Sequence, residues 1–374
     1  MNQPDSVSNL ANGSGQKPRE EGAASRVPTS KRTIVIRLLM SLVLLLVFVW
    51  ILRAGALPIL PDRAALARSN KALVLAYAGW FFVVQVSRGV RWNWLLRSFC
   101  KLPLKVAVDL TAIGNGALVL FPLRTGEFVR PLLARRYGVS GLAAASTIGG
   151  ERIIDGLCVG LMLSGALAIA PGHAVIHEIA GPTFRDPRVI GRAAKLAMLG
   201  FSTALALLVL FRWQQRRMSR LIEQTLGKLS AKVAERLTST LERLAAGLEF
   251  LNDRPSATIY LLFTVTYWMA QVAGIWFLLL GCGFHELRFV EAIAITGVFA
   301  LGFMLPAPPG FFGAFQATFY AGLLLYFTDD RVKTDGAAAV FFAYVIQIGN
   351  TLLVGLLGWL RERRYRAELE VPLK

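Results

Sequence analysis

The stretch "LFPLRTGEFVRPLLARR" (residues 120–136) is at odds with what precedes it. "LTAIGNGALVL" (110–120) is apolar and rich in small residues, as a segment surrounded by lipid would be. Arg124, Glu127 and Arg130 then arrive, punctuated by Pro122, Gly126 and Pro131. Charges and helix breakers at membrane depth are tolerated only where they face protein or a wet cavity. How the chain runs on either side of this stretch decides the fold.

Working outward, apolar runs of about membrane-spanning length recur, roughly 20 residues for a ~30 Å hydrocarbon core. They cover 34–52, 72–87, 142–170, 195–211, 257–284 and 336–360. Hydrophobic residues make up 55% of the 374 and charged residues 17%, against about a quarter charged in soluble domains. Nothing alternates with period two, so the expected class is an all-α integral membrane protein rather than a β-barrel. The net charge of +18 is placed beside apolar segments and in no nucleic-acid motif. It suits loops facing anionic lipid, with no nucleic-acid partner. Cys100, Cys158 and Cys282 have no metal or redox spacing. His173 and His177 could share a helix face but lack a clear third ligand, so no metal and no cofactor is expected.

Lys and Arg mark the cytoplasmic side. They place the N-terminus, the loop 88–105, the segment 212–254 and the C-terminus inside, and leave "TDDRVKTDG" (328–336) outside. A full crossing by 106–122 would put "RTGEFVRPLLARR" outside, against that bias. A hairpin that enters from the cytoplasm and turns back removes the conflict. Residues 291–328, broken by Pro306, Pro308, Pro309 and Gly310, have external flanks and read as a second hairpin from the other side. The expectation is about six spans plus two broken re-entrant hairpins, or eight segments counted as spans, in an inverted repeat. Two ordinary kinked helix pairs remain the alternative. Residues 1–30 are expected to be a disordered cytoplasmic tail, 31–180 and 181–360 the two membrane repeats, and 361–374 a second cytoplasmic tail. Apolar residues at helical spacing make 212–254 an amphipathic insert at the cytoplasmic face.

Helix 142–170 carries Glu151, Arg152 and Asp155, each costing roughly 2.5–3.5 kcal/mol at a helix centre in lipid. They must pair, as a packing clip, a polar cavity, or both. Arg124, Arg130 and Arg152 are candidate contacts for an anionic headgroup, because the guanidinium fork matches phosphate. In the second hairpin a helix starting after Pro309 would offer free backbone N–H groups near Gly310, with Gln316 the one strong polar side chain. Arg91, Asn115, Pro122, Gly126, Glu127, Glu151, Asp155, Pro306, Pro309 and Gly313 are the expected cavity-building residues. Glu127 is expected to pair with Arg152, leaving Arg124 and Arg130 free.

"RGVRWNWLL" (88–96), "FPLRTGEFVR" (121–130), Glu151-Arg152 with Asp155, and "PAPPGFFGAFQ" (306–316) together resemble the flippase-like membrane region of lysylphosphatidylglycerol synthases. The resemblance covers nearly all of the chain beyond the tail. It implies a stand-alone bacterial or archaeal protein of the cytoplasmic membrane that moves a lipid-linked headgroup across the bilayer. The substrate would be an anionic phospholipid or a polyprenyl-linked glycolipid. No soluble aminoacyl-transfer domain follows residue 360, which implies that this chain does not make lysyl-lipid. Many relatives read Pro-Gly-Gly-x-Gly and end in glutamate in the second motif, whereas Phe311 and Gln316 stand here. A mechanism needing that carboxylate does not carry over. Two other functions stay open: an integral-membrane transferase using Glu127, Glu151 or Asp155 as base, and a non-transporting scaffold for a lipid-modifying enzyme docking through 212–254. The residues do not fix the oligomeric state.

Overall fold

Backbone in hydrocarbon must satisfy its own hydrogen bonds, and the apolar runs do so as helices. The computed structural model describes residues 31–54, 57–171, 253–304 and 307–368, with isolated positions between 192 and 242. Pro306, the tail 1–30, the His173/His177 pair, the repeat boundary near 180, about half of the span 195–211 and most of the insert 212–254 lie outside the described residues. Among the described residues every regular element is helical. The elements are α1 (Lys31–Ala54), α2 (Arg63–Arg68), α3 (Lys71–Leu96), α4 (Leu104–Leu120), α5 (Val129–Ala134), α6 (Gly141–Ile169), α7 (Arg254–Gly281), α8 (Phe289–Gly302), α9 (Ala314–Leu323) and α10 (Ala337–Glu368).

Among the described residues four helices are long and apolar enough to cross a membrane: α3, α6, α7, and α10 with its lead-in from Asp329. Their starts are set locally. Asn70 accepts from the Ala72 and Leu73 N–H groups at 3.0 and 3.3 Å, and Asp253 caps Ser256 N–H at 3.2 Å. The outer faces stay apolar, with Leu46 and Trp50 on α1, Leu75 and Val83 on α3, Leu262 on α7 and Leu353 on α10 all exposed. Apolar surface spread over so many helices marks contact with lipid. The chain is a multi-pass helical membrane protein.

Contacts at the helix ends orient the bundle. At one end Arg361 meets Asp109 at 2.8 Å and Arg136 meets Glu362 at 3.8 Å. Trp94 Nε1 donates to the Ser256 carbonyl there at 3.2 Å. At the other end the Asn70 N–H donates to Gly281 O at 2.7 Å, and Arg68 pairs with Asp335 at 3.0 Å. Arg331 pairs with Glu286, and Tyr326 OH donates to Ala170 O at 2.8 Å, at that same end. The unit α4–break–α5 therefore begins and finishes at the end bearing Glu362. The unit α8–break–α9 begins and finishes at the opposite end. The breaks meet between them, where Leu123 N–H donates to Ala307 O at 3.2 Å.

The breaks have a stereochemical cause. Leu123 and Arg124 lie at φ 53° and 60°, Gly310 and Phe311 at 70° and 55°, and Gly313 at 85°. A right-handed helix cannot continue through such residues. Gly126 folds the first break onto α4 so closely that a Cβ there would sit 2.2 Å from the Ala117 carbonyl carbon. A Cβ on Gly313 would sit 2.4 Å from Phe48 Cβ on α1. α4 is also clasped by α10, Gly116 facing Gly355.

Two expectations are corrected. Residues 88–96 are not loop: α3 continues to Leu96, because Arg91 finds carboxylates inside the protein and need not end the span. The helix expected directly after Pro309 begins only at Ala314, since 310, 311 and 313 are left-handed.

The charge pattern and end contacts give a topological expectation. Arg135→Cys and Arg217→Cys, in a chain with its native cysteines replaced, should react with an impermeant maleimide only after cells are opened, and Asp330→Cys in intact cells. External reaction at position 135 would contradict a first broken unit open to the cytoplasm.

Candidate functional site

The site grows from one buried cation. Arg91 sits between five and six turns along α3, near its C-terminal end, and is 1% exposed at its side chain. Glu151 and Asp155 are one turn apart on α6 and turn the same face to it. Arg91 donates to Glu151 Oε1 at 2.6 Å and to Asp155 Oδ2 at 2.9 Å, with a third, short bond to Asp155 Oδ1. Its guanidinium lies over the Tyr267 ring, 4.6 Å from the centroid. Glu151 Oε2 accepts from Arg130 at 2.8 Å, and Arg130 stacks over Trp92 at 4.7 Å. Trp268 Nε1 donates to Asp155 at 3.3 Å. The network thus ties α3, α5, α6 and α7 together.

A second layer is wetter. Arg124 donates to Glu127 Oε1 at 2.5 Å, and Arg152 Nε lies 3.6 Å from that same oxygen. The Arg152, Arg124 and Glu127 side chains are 35%, 20% and 22% exposed, against 1% and 3% for Arg91 and Glu151. These three line a cavity of about 340 Å³. Phe81, Tyr267, Trp268, Phe299, Phe303 and Phe311 give it an aromatic wall, and Gln271, Gln347 and Thr351 add neutral polar groups. Asn115 on α4 and Thr296 on α8 reach it from the two broken units. Arg152 Nε, Asn115 Nδ2 and Thr296 Oγ1 are buried and make no hydrogen bond. Buried donors without acceptors are rare, and all three belong to cavity-lining residues. Apolar walls with a few converging donors are the usual makeup of a small-molecule site.

The expected residues divide. Arg124, Arg152, Asn115, Glu127 and Asp155 line the cavity. Pro122 and Gly126 shape the break beside it. Arg91 and Glu151 lie behind it as the buried clip. Glu127 is shared by Arg152 and Arg124 rather than held by Arg152 alone. Neither arginine expected to be free is so: Arg124 holds Glu127, and Arg130 is consumed by Glu151. Unpaired, Arg130 would be a bare charge in an apolar interior. Gly310 and Gln316 do not line the cavity. Gln316 is 4% exposed, and its Oε1 caps α9 by accepting from Gly313 N–H at 2.7 Å. Pro309 is exposed at the surface, and Gly313 packs against α1.

Several polar lining residues are not singled out by the sequence, among them Arg88, Gln271, Thr296, Gln347 and Thr351, and Arg88 is the charged one. The basic neighbourhood of Arg88 reads as a span boundary, which places it in a loop. Its spacing from Arg91, three residues and thus one helix face, was the available signal.

The family model described as the lysylphosphatidylglycerol synthase TM region matches residues 34–358. No curated protein and no solved structure matches the chain.

The two layers should separate on mutation. Arg91→Ala leaves two buried carboxylates short of a cation, a loss of about 3–5 kcal/mol. It should abolish the monodisperse peak of detergent-extracted protein. Arg124→Ala should keep that peak, since Glu127 retains Arg152. Equal yields from the two variants would contradict the division.

Proposed function

The chain belongs to the family of the lysylphosphatidylglycerol synthase transmembrane region, and from this membership and the cavity we propose that it is a translocase for a lipid-linked headgroup. The substrate class is an anionic phospholipid or a polyprenyl-linked glycolipid of the cytoplasmic membrane, and both termini are cytoplasmic. One observation carries the reading. A cavity with unpartnered donors on its lining residues lies where two broken helical units from opposite ends of the bundle meet.

In this reading the units are re-entrant hairpins of two inverted repeats. The headgroup enters the cavity and its phosphate oxygens accept from Arg152, Asn115 and Thr296, while the acyl or prenyl tails remain in lipid. The aromatic walls exclude water, which strengthens each polar contact. The ion-paired clip behind the cavity stays fixed, and small shifts at the contact of the two breaks open the cavity to one side and then the other. A lipid-modifying transferase is disfavoured by a specific feature. Glu127, Glu151 and Asp155 are each engaged by arginine, so none of the three stands free in the cavity to meet a substrate hydroxyl.

The test is translocation of tail-labelled fluorescent phosphatidylglycerol in proteoliposomes, read by dithionite quenching. Purified protein should raise the rate well above that of protein-free vesicles. Arg152→Ala should lower that rate about tenfold, as loss of one charge-assisted contact implies. Background rates from folded wild-type protein, for this lipid and for a polyprenyl-linked glycolipid alike, would remove the reading.

A further inference from the structure

The charges around the cavity do not balance. Arg88, Arg91, Arg124, Arg130 and Arg152 stand against Glu127, Glu151 and Asp155 among the described residues, a surplus of two cations. Four of the five arginines are held by a carboxylate. Arg88 is the exception. It lines the cavity from α3, lies 5.7 Å from the centroid of the Tyr267 ring, and bonds only the neutral Gln85 Oε1, at 3.4 Å. No carboxylate lies within ion-pair distance of it among the described residues.

Uncompensated charge in a low-dielectric enclosure is costly whichever its sign. The occupant that best relieves a surplus of two carries two negative charges. A phosphodiester headgroup with one charge leaves the enclosure cationic, and a headgroup bearing an added lysyl group makes it more so. The unpartnered donors belong to the same lining, so an occupant with several phosphate oxygens satisfies charge and hydrogen bonding together.

We propose that the cavity selects a lipid with a doubly charged phosphate headgroup, a phosphomonoester or a diphosphate, and that Arg88 is the residue that sets this selectivity. The inference rests on the translocase reading and narrows it to one substrate class. It also separates this chain from lysyl-lipid transport, since the cavity disfavours a cationic head. Arg88 meets the headgroup directly, while Arg91 and Arg130 act through the carboxylates they hold.

Three lipids with the same labelled acyl chain grade the charge: phosphatidic acid, close to two negative charges at pH 8, phosphatidylglycerol with one, and lysylphosphatidylglycerol with a net positive charge. In phosphatidylcholine proteoliposomes at pH 8, corrected for protein-free vesicles, phosphatidic acid should move about tenfold faster than phosphatidylglycerol, as one extra charge-assisted contact implies. Lysylphosphatidylglycerol should stay at background. Arg88→Gln should shrink the ratio of phosphatidic acid to phosphatidylglycerol several-fold, and Arg88→Lys should largely restore it. Equal rates for the two anionic lipids, or fastest movement of the lysyl lipid, would overturn the selectivity while leaving translocation standing. Should no lipid move, the translocase reading fails and the selectivity is read by binding, as the rise in melting temperature of detergent-extracted wild-type protein with each lipid. A larger rise with phosphatidic acid than with phosphatidylglycerol keeps the assignment, and equal rises remove it. A rise with millimolar inorganic phosphate matching that with phosphatidic acid would assign the site to free phosphate and remove the lipid. If Arg88→Gln does not fold, the wild-type ranking and the Arg88→Lys variant still decide.

Discussion

A single buried guanidinium governs how the rest of the bundle is arranged. Arg91, buried near the C-terminal end of an apolar helix, is admissible only with anionic acceptors beside it. Glu151 and Asp155 provide them, at 2.6 and 2.9 Å, which fixes the rotation of α6 against α3. Glu151 then has a second oxygen to satisfy, and Arg130 satisfies it. Because Arg130 sits on α5, directly after the first break, the clip also determines where that break can lie. The chain of consequence runs from one charge to two helix faces to the position of an irregular loop.

That loop explains the charged stretch at 120–136. Its breakers do not merely end a helix. Left-handed Leu123 and Arg124 turn the chain back, and Gly126 lets it fold flat on α4. The second unit reaches the same place from the other end with left-handed Gly310, Phe311 and Gly313. Phe311 holds a conformation that costs a side-chain-bearing residue about 1–2 kcal/mol. Its ring is buried and lies 4.9 Å from that of Phe303, and burial of a phenylalanine offsets strain of that size. The contact between the two breaks, lined on one side by cations and on the other by aromatic rings, is where our account places the headgroup.

How much of this was legible follows from what each signal measures. Apolar run length located α3, α6, α7 and α10, because the thickness of hydrocarbon is a one-dimensional constraint. Charge bias favours a first unit that returns to its own end, because basic residues flank it on both sides. The same bias misplaced Arg88 and Arg91. A rule that reads arginine as a span boundary fails when a carboxylate on another helix neutralises it. The pairing of Glu151 with Arg130, which was expected to be free, was likewise hidden, since sequence spacing shows neighbours along a helix and not across helices. Gln316 looked like a cavity residue because it is polar in an apolar run. It caps a helix whose start is delayed by positive φ angles that the residue type at Phe311 does not advertise. Gln316 is here a neutral cap.

The central claim is that two broken units entering from opposite ends meet tip to tip beside the cavity. Oxidative cross-linking of Leu123→Cys with Ala307→Cys, in native membranes and in a chain with its other cysteines replaced, tests it most directly. The backbone hydrogen bond between these residues, at 3.2 Å, brings their Cα atoms within the roughly 7 Å that a disulfide spans. The account therefore expects a rapid, reducible cross-link, with none between Leu123→Cys and a control cysteine at Asp330. Absence of the first cross-link in folded, oxidant-treated protein, with both thiols still reactive, would contradict the account.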